Sequence, residues 1–382
     1  MNVSDFTKCS GCTSCASICP KHAIEMKENS KGFLRPSINK ELCVDCGLCF
    51  KVCDFNGNNV DSNRPLSFVG MKNKDLEKRK KSASGGIFYA LAEKIIESNG
   101  TVYGAALIDN KIVKHIRVTN IEELNVLRKS KYAASDMRNI FIEIKKDLAN
   151  KKVLFSGTPC QVAGLLSFLK YLNVDTSNLY TIDLICHGTP SNKIWKEYVE
   201  YIENREHEKV KIAIFRDKTY GWKTHYESFE FANKKIKTDK FRELFYSNLI
   251  LPDDGCFVCK YESLDRRSDI TIGDLLGTQK EAESFKDKFG VSLVMPLTQK
   301  GLNLLSLVKD DFDEISLKEE EIMQPNLKAP VKKPLKYEKF WKDYDNKSFD
   351  KILKKWPESA MHKRIREFKE RVQNKLKRVM HK

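Results

Sequence analysis

The chain has 382 residues, 41% apolar and 31% charged, enough to bury full cores in two or three domains, and it contains no low-complexity tract. Met1–Cys15 is polar, unlike a signal peptide, and no apolar run reaches the ~18 residues of a membrane span, so a cytoplasmic setting without a transmembrane helix is expected. The net charge of +16 lies largely in Asn346–Lys382, with 13 Lys and Arg against 4 Asp and Glu, while residues 1–60 carry 7 against 6; this is not the pattern of a nucleic-acid-binding core.

Residues 1–56 form an internal repeat. Cys9, Cys12, Cys15 and Cys19, the last followed by Pro20, are spaced as C-x2-C-x2-C-x3-C, and Cys43, Cys46, Cys49 and Cys53 repeat the spacing. Three closely spaced thiolates wrap three corners of one 4Fe–4S cube, and the fourth cysteine reaches the other cube of a two-cluster ferredoxin. This rule assigns Cys9, Cys12, Cys15 and Cys53 to one cluster and Cys43, Cys46, Cys49 and Cys19 to the other. Asp54 stands where the bacterial pattern has proline, a departure expected to cost little. Zinc prefers two separated C-x2-C pairs and fits the repeat less well. Disulfides are not expected without export. Asn56–Pro65 is polar and turn-rich and reads as a linker.

From about Ser67 the pattern changes to alternating strands and helices. Ile87, Leu91 and Ile95 recur at helical spacing and Thr101–Leu107 follows as a strand. Val153–Phe155 reads as a buried strand running into Gly157-Thr158-Pro159-Cys160 and a helix to about Lys170. The plan recurs at Thr181–Ile185, Cys186-His187-Gly188-Thr189-Pro190 and a helix from Ser191. Thr caps and Pro in the first turn suit both starts. Ile270–Ile272 follows the pair Cys256 and Cys259. Cys160 and Cys186 lie beyond strand ends, where α/β sheets place ligands; with Cys256 and Cys259 they either share a metal or are buried small hydrophobes. Ser82-Ala-Ser-Gly-Gly86 before a helix suits a phosphate, or an ordinary helix start. Past Met323, Pro325, Pro330 and Pro334 among lysines suggest an extended connector. From His362 a basic helix with Ile365, Phe368, Val372, Leu376 and Val379 on one face is expected; it packs on its own core, docks on a partner or makes peripheral membrane contact.

Several segments in order across residues 67–277 resemble the coenzyme F420 hydrogenase/dehydrogenase beta-subunit family. They are Ser84-Gly85-Gly86, Val102–Ala105, Gly157–Gln161, Asp183–Gly188, Phe215–Lys218 with Gly221-Trp222, and Cys256-x2-Cys259 with Ser268–Asp274. The resemblance implies an FAD-binding oxidoreductase domain with a third 4Fe–4S cluster on Cys160, Cys186, Cys256 and Cys259. It also points to Ser84, Gly85, Gly86, Gly157 and Thr158 as flavin contacts. Arg216 and Lys218 are candidates to neutralise phosphate, and His187 to donate a proton; solvated charges and a turn histidine are the plain alternatives. The expected fold is α+β joined to α/β: a two-cluster ferredoxin domain over 1–56, a mixed α/β flavin and cluster domain over 67–320, and a connector with a basic tail over 321–382.

The expected function is that of an oxidoreductase. A ferredoxin or redox partner subunit donates single electrons, the clusters carry them, and FAD delivers them to an organic acceptor. That acceptor is coenzyme F420 or another substrate, one from surface-polysaccharide synthesis included. The rival is a non-catalytic electron-transfer subunit of a larger complex. No Gly-x-Gly-x-x-Gly fingerprint follows a strand, which argues against direct NAD(P) use.

Overall fold

The computed structural model describes residue 3 and residues 8–57, 59–276 and 280–357. Each N-terminal cysteine run ends in a short helix, α1 (Ser14–Ile18) and α2 (Leu48–Lys51). Between them Ile24 and Met26 point inward and their charged neighbours outward, so this stretch forms strand β1 (Ile24–Glu28), paired antiparallel with β2 (Leu34–Ile38). The hairpin tip needs Gly32: its φ is +81°, and a Cβ there would lie 2.4 Å from Cβ of Lys193 in the second domain. The small module therefore leans directly on its neighbour.

The rest of the chain supplies two further sheets, an 8-stranded and a 3-stranded one. In chain order the strands are β3 (Phe68–Asn73), β4 (Thr101–Ile108), β5 (Ile112–Val118), β6 (Val153–Gly157), β7 (Leu179–Leu184), β8 (Ile212–Ile214), β9 (Glu227–Glu230), β10 (Lys235–Thr238), β11 (Ile270–Asp274), β12 (Ser292–Pro296) and β13 (Phe312–Leu317). The large sheet runs β13-β3-β12-β11-β7-β6-β4-β5, with β11, β7, β6 and β4 parallel and the outer pairs antiparallel. Its parallel centre is covered on both faces, which is why Val153, Leu154 and Phe155 are all buried instead of alternating. Helix α3 (Ile87–Glu97) covers one face with Leu91 and Ile95. Helices α4 (Ile140–Leu148) and α5 (Pro159–Tyr171) cover the other with Phe141, Phe168 and Leu169.

The two Gly-Thr-Pro turns behave differently. Thr158 caps α5, Pro159 opens it, and Gln161 Oε1 accepts the Thr158 N–H at 2.9 Å. Helix α6 (Asn192–Glu206) is instead capped by Ser191, whose hydroxyl accepts from Ile194 N at 3.4 Å. Thr189 and Pro190 do not cap it; their carbonyls accept from Asp253 N and Ala134 N. The Cys186–Pro190 segment is thus held as a loop between elements.

The stretch expected to be a connector is more structured than its prolines suggested. Pro325–Leu327 is one 3-10 turn, and two helices follow, α7 (Tyr337–Asn346) and α8 (Phe349–Lys355). Tyr337, Phe340, Trp341, Tyr344, Ile352 and Leu353 join Trp195 and Tyr198 of α6 and Phe229 of the small β10-β9-β8 sheet in one aromatic core. Spacing i, i+3, i+4, i+7 makes this a core helix face, so the domain's packing continues past residue 320. The expected apolar face from Ile365 to Val379 lies outside the described residues. Among the described residues no helix is long and apolar enough to cross a membrane.

Candidate functional site

The chain brings the cysteines together in three sets. Burial pushes the Cys15 thiol well up, and Cys12, Cys9 and Cys53 push it further; Cys12 is raised by burial and then by Cys53. The thiol at the end of the second run thus neighbours the first run. Burial raises Cys49, with Cys46 and Cys43 adding to it, and Cys19 joins these three around a small cavity. In the third set, burial raises Cys160, followed by Cys259 and Cys186, and raises Cys256, with Cys186 and Cys160 adding to it. Burial chiefly takes Cys186 to about 12 and Cys259 to about 11. Thiols so placed stay protonated unless a metal takes them as thiolates.

All four thiols of the third set line one cavity of about 610 Å³. It lies over the carboxyl ends of the parallel strands: Ser156 and Gly157 end β6, Leu184 ends β7, and Gly273 and Asp274 end β11. Near the third set Arg266 is buried with Asp183 Oδ2 at 3.9 Å and no hydrogen-bond partner for its three guanidinium nitrogens. Its charge pulls both Cys186 and Cys259 toward the thiolate.

The residues expected to touch a flavin divide into three groups. Ser84 and Gly86 line the cavity, and Gly86, at φ +97°, begins α3 without a side-chain cap, leaving first-turn N–H groups for a ligand. Gly85 faces the other way: a Cβ would lie 2.1 Å from Met71 O, and its N–H already donates to Ser292 Oγ at 3.0 Å. Its missing side chain makes room for strands β3 and β12. Gly157 and Thr158 both line the cavity, yet the Thr158 N–H is committed to Gln161 and its hydroxyl sits 3.1 Å from Cys160 Sγ.

Arg216 lines the cavity, paired with Asp274 at 2.6 Å and donating to Trp222 O at 2.7 Å, while its Nε is buried without a partner. Lys218 stands behind the wall, donating to Arg79 O at 2.9 Å and Ser84 O at 3.3 Å, so it braces the Ser82–Gly86 loop. Burial, then Arg79 and Arg216, lowers its pKa to about 7. His187 lines the cavity, stacks on Tyr246 at 4.6 Å and donates from Nδ1 to Asn326 Oδ1 at 2.9 Å. Burial lowers its pKa, so the neutral ring presents a lone pair at Nε2.

Two parts of the site had no reading in the sequence. The loop Arg128–Ser135 lines the cavity with Lys129, Lys131 and Tyr132; burial, then Lys129, lowers Lys131 to about 7. Arg128 lies 3.8 Å over the Tyr89 ring and donates to Ser82 Oγ at 3.0 Å. His115 donates from Nε2 to Ser156 O at 2.9 Å, which leaves Nδ1 to accept from Ser135 at 2.7 Å. Ser135 in turn accepts from Gln161 at 2.9 Å, fixing the turn before Cys160. The second part is Asn326, reaching in from the proline-rich stretch to donate to Cys186 O at 2.8 Å.

Asp54 joins the two domains. It is buried; Oδ1 accepts from the backbone of Asn59 and Val60 at 2.9 and 3.1 Å, and Oδ2 accepts from Tyr261 OH at 2.8 Å. Arg267 Nε stands 3.3 Å and Lys260 Nζ 3.6 Å from the same oxygen. The position where the bacterial pattern has proline thus carries a buried contact between the two domains.

A ferredoxin-like module fixed to a mixed α/β sheet, with thiols lining the cavity at its strand ends, defines an iron–sulfur electron-transfer protein. Residues 8–56 match the 4Fe-4S dicluster domain, which accounts for two clusters and the eight N-terminal cysteines. Residues 150–321 match the family model described as the C terminus of the coenzyme F420 hydrogenase/dehydrogenase beta subunit. Over 169 residues the chain is 28% identical to the coenzyme F420-dependent sulfite reductase of Methanocaldococcus jannaschii, a match covering 42% of this chain. It spans only 25% of that curated relative. A chain of the F420-reducing NiFe hydrogenase complex from Methanosarcina barkeri superposes with a TM-score of 0.49 at 19% identity, over 76% of this chain and 91% of that one.

Proposed function

We propose that this chain is an iron–sulfur flavoprotein that accepts single electrons at its N-terminal module and serves an organic two-electron partner at the cavity. The observation that carries the reading is the placement of Cys160, Cys186, Cys256 and Cys259 on the wall of the cavity that Ser84, Gly86, Lys131 and Arg216 also line. Four half-buried thiols with the buried cation Arg266 near them suit an anionic cluster.

FAD, when bound, supplies the exchange between one-electron and two-electron chemistry. The chain's part is to hold it. The start of α3 offers backbone N–H groups to a pyrophosphate. Lys131 and Arg216 supply positive charge, Arg128 and Lys218 lock the Ser82–Gly86 loop from behind, and Tyr246 and His187 wall the space beside the thiols. His187 Nε2 would accept a proton from whatever reacts next to it. Coenzyme F420 is the partner that the relatives' names suggest.

The alternative, an electron-transfer subunit without chemistry of its own, draws support from the short overlap with the sulfite reductase, three-quarters of which lies outside the match.

Binding of FAD tests the site. Lys131 and Lys218 both fall to about 7 in the ligand-free protein, so above pH 7 they lose their charge. A bound pyrophosphate favours their protonated forms and raises both values, so binding takes up protons above pH 7. The affinity for FAD, followed by quenching of its fluorescence, is expected to be greatest near pH 6 and to fall steadily to pH 9. Lys131→Met should make the profile shallower, leaving the part that Lys218 contributes. An affinity independent of pH in the unsubstituted chain would place the pyrophosphate elsewhere.

A further inference from the structure

Helix α5 is the piece of the second domain on which the first cysteine set sits. Cys160, Gly164 and Ser167 fall on one face, at i, i+4 and i+7. Ser167 Oγ donates to Val52 O at 2.7 Å, and Ser14 Oγ donates to Gly164 O at 2.7 Å, both buried. Lys170 adds a bond to Asn59 O at 2.7 Å. Between these anchors the helix has no side chain. A Cβ on Gly164 would lie 2.8 Å from Cys12 Sγ, 2.8 Å from Ser14 Oγ and 3.0 Å from Cys12 Cβ. Gly164 is in ordinary helical backbone, so turn geometry does not call for glycine there. A mid-helix glycine destabilises a helix relative to alanine, and the close approach of Cys12 is what it permits.

That approach joins two sets of thiols. Cys160 stands one turn earlier on the same face, and the Cys12 charge contributes to raising its pKa. On the far side, Asp54, next to Cys53, holds Tyr261, two residues after Cys259. The first and third sets are therefore clamped together at two points, while Cys46 of the second set is exposed.

We infer that Gly164 is a positioning residue for electron transfer: its bare backbone lets the Cys9–Cys12–Cys15–Cys53 cluster seat against α5, one helical turn from the cluster on Cys160. One electron leaves the first cluster as one enters the third, and no bond or proton moves. Tunnelling between buried centres falls exponentially with the gap, so a side chain inserted at this contact acts on the rate without touching a ligand. The inference rests on the third cluster proposed above.

The test is electron paramagnetic resonance of the dithionite-reduced full chain, in which neighbouring reduced clusters split one another's signals. Gly164→Ala is expected to weaken the splitting between the first and third clusters while all iron is retained. Ser14→Ala, which removes the bond to Gly164 O without adding volume, should weaken it too and remains informative if the alanine variant loses iron. Lys94→Ala, in the surface ion pair with Glu97 on helix α3 across the sheet, should leave it unchanged. Wild-type splitting in both Gly164→Ala and Ser14→Ala, at full iron content, would overturn the inference. About eight irons in the unsubstituted chain, as two cubes hold, would instead remove the third cluster itself, a different failure.

Discussion

Cys160→Ser is expected to lose about four of about twelve irons, as the removal of one cube from three requires. Cys160 is the second residue of α5, where the helix N-terminus favours a thiolate, and its sulfur shares the cavity with Cys186, Cys256 and Cys259. Serine keeps the volume and the capping geometry of Thr158 and Gln161 but offers iron a harder, more basic oxygen. The other eight cysteines neighbour one another in sets that do not include Cys160, so their two clusters should remain and the visible absorbance should fall by about a third. Iron content unchanged from the parent would make Cys160 a buried small hydrophobe, and the cavity would lose its cluster.

The second large effect is expected at Asp54. Removing one partner from a buried charge network leaves the others uncompensated and costs about 3–5 kcal/mol. Asp54→Ala would take from the Tyr261 hydroxyl its acceptor and from Arg267 and Lys260 the carboxylate that faces them. We expect a lower melting temperature and faster proteolysis between Asn56 and Pro65. Asp54→Asn, which keeps hydrogen bonds but not charge, should fall between. Asp54→Pro restores the bacterial ferredoxin pattern and suits the first position of a 3-10 turn; it should nevertheless behave like alanine. Parent-like stability of the proline variant would show that Asp54 is no anchor.

The contrast at Asp54 shows what the sequence can and cannot convey. Spacing alone paired Cys53 with the first run, because a cube constrains its ligands locally. The same view made Asp54 a missing proline, since its partners Tyr261 and Arg267 lie over 200 positions away and no periodicity announces them. Strands β6 and β7 were legible because a parallel strand buried on both faces reads as an apolar run. The Arg128–Ser135 loop was not: its lysines look like solvated charges until the fold turns them into a cavity. Gly85 gave a true signal with the wrong cause, its small size serving strand packing and not phosphate. Tyr337, Phe340, Trp341 and Tyr344 stand at helical spacing, but the prolines before them led to the expectation of an extended connector.

The proposed electron path is a chain of three clusters ending at a flavin. Iron, acid-labile sulfide, zinc and flavin content of anaerobically purified protein tests it most directly. About twelve irons with matching sulfide, as three cubes hold, and FAD at one per chain are predicted. About eight irons without flavin would contradict the claim and leave the N-terminal module as an electron carrier attached to an adaptor domain.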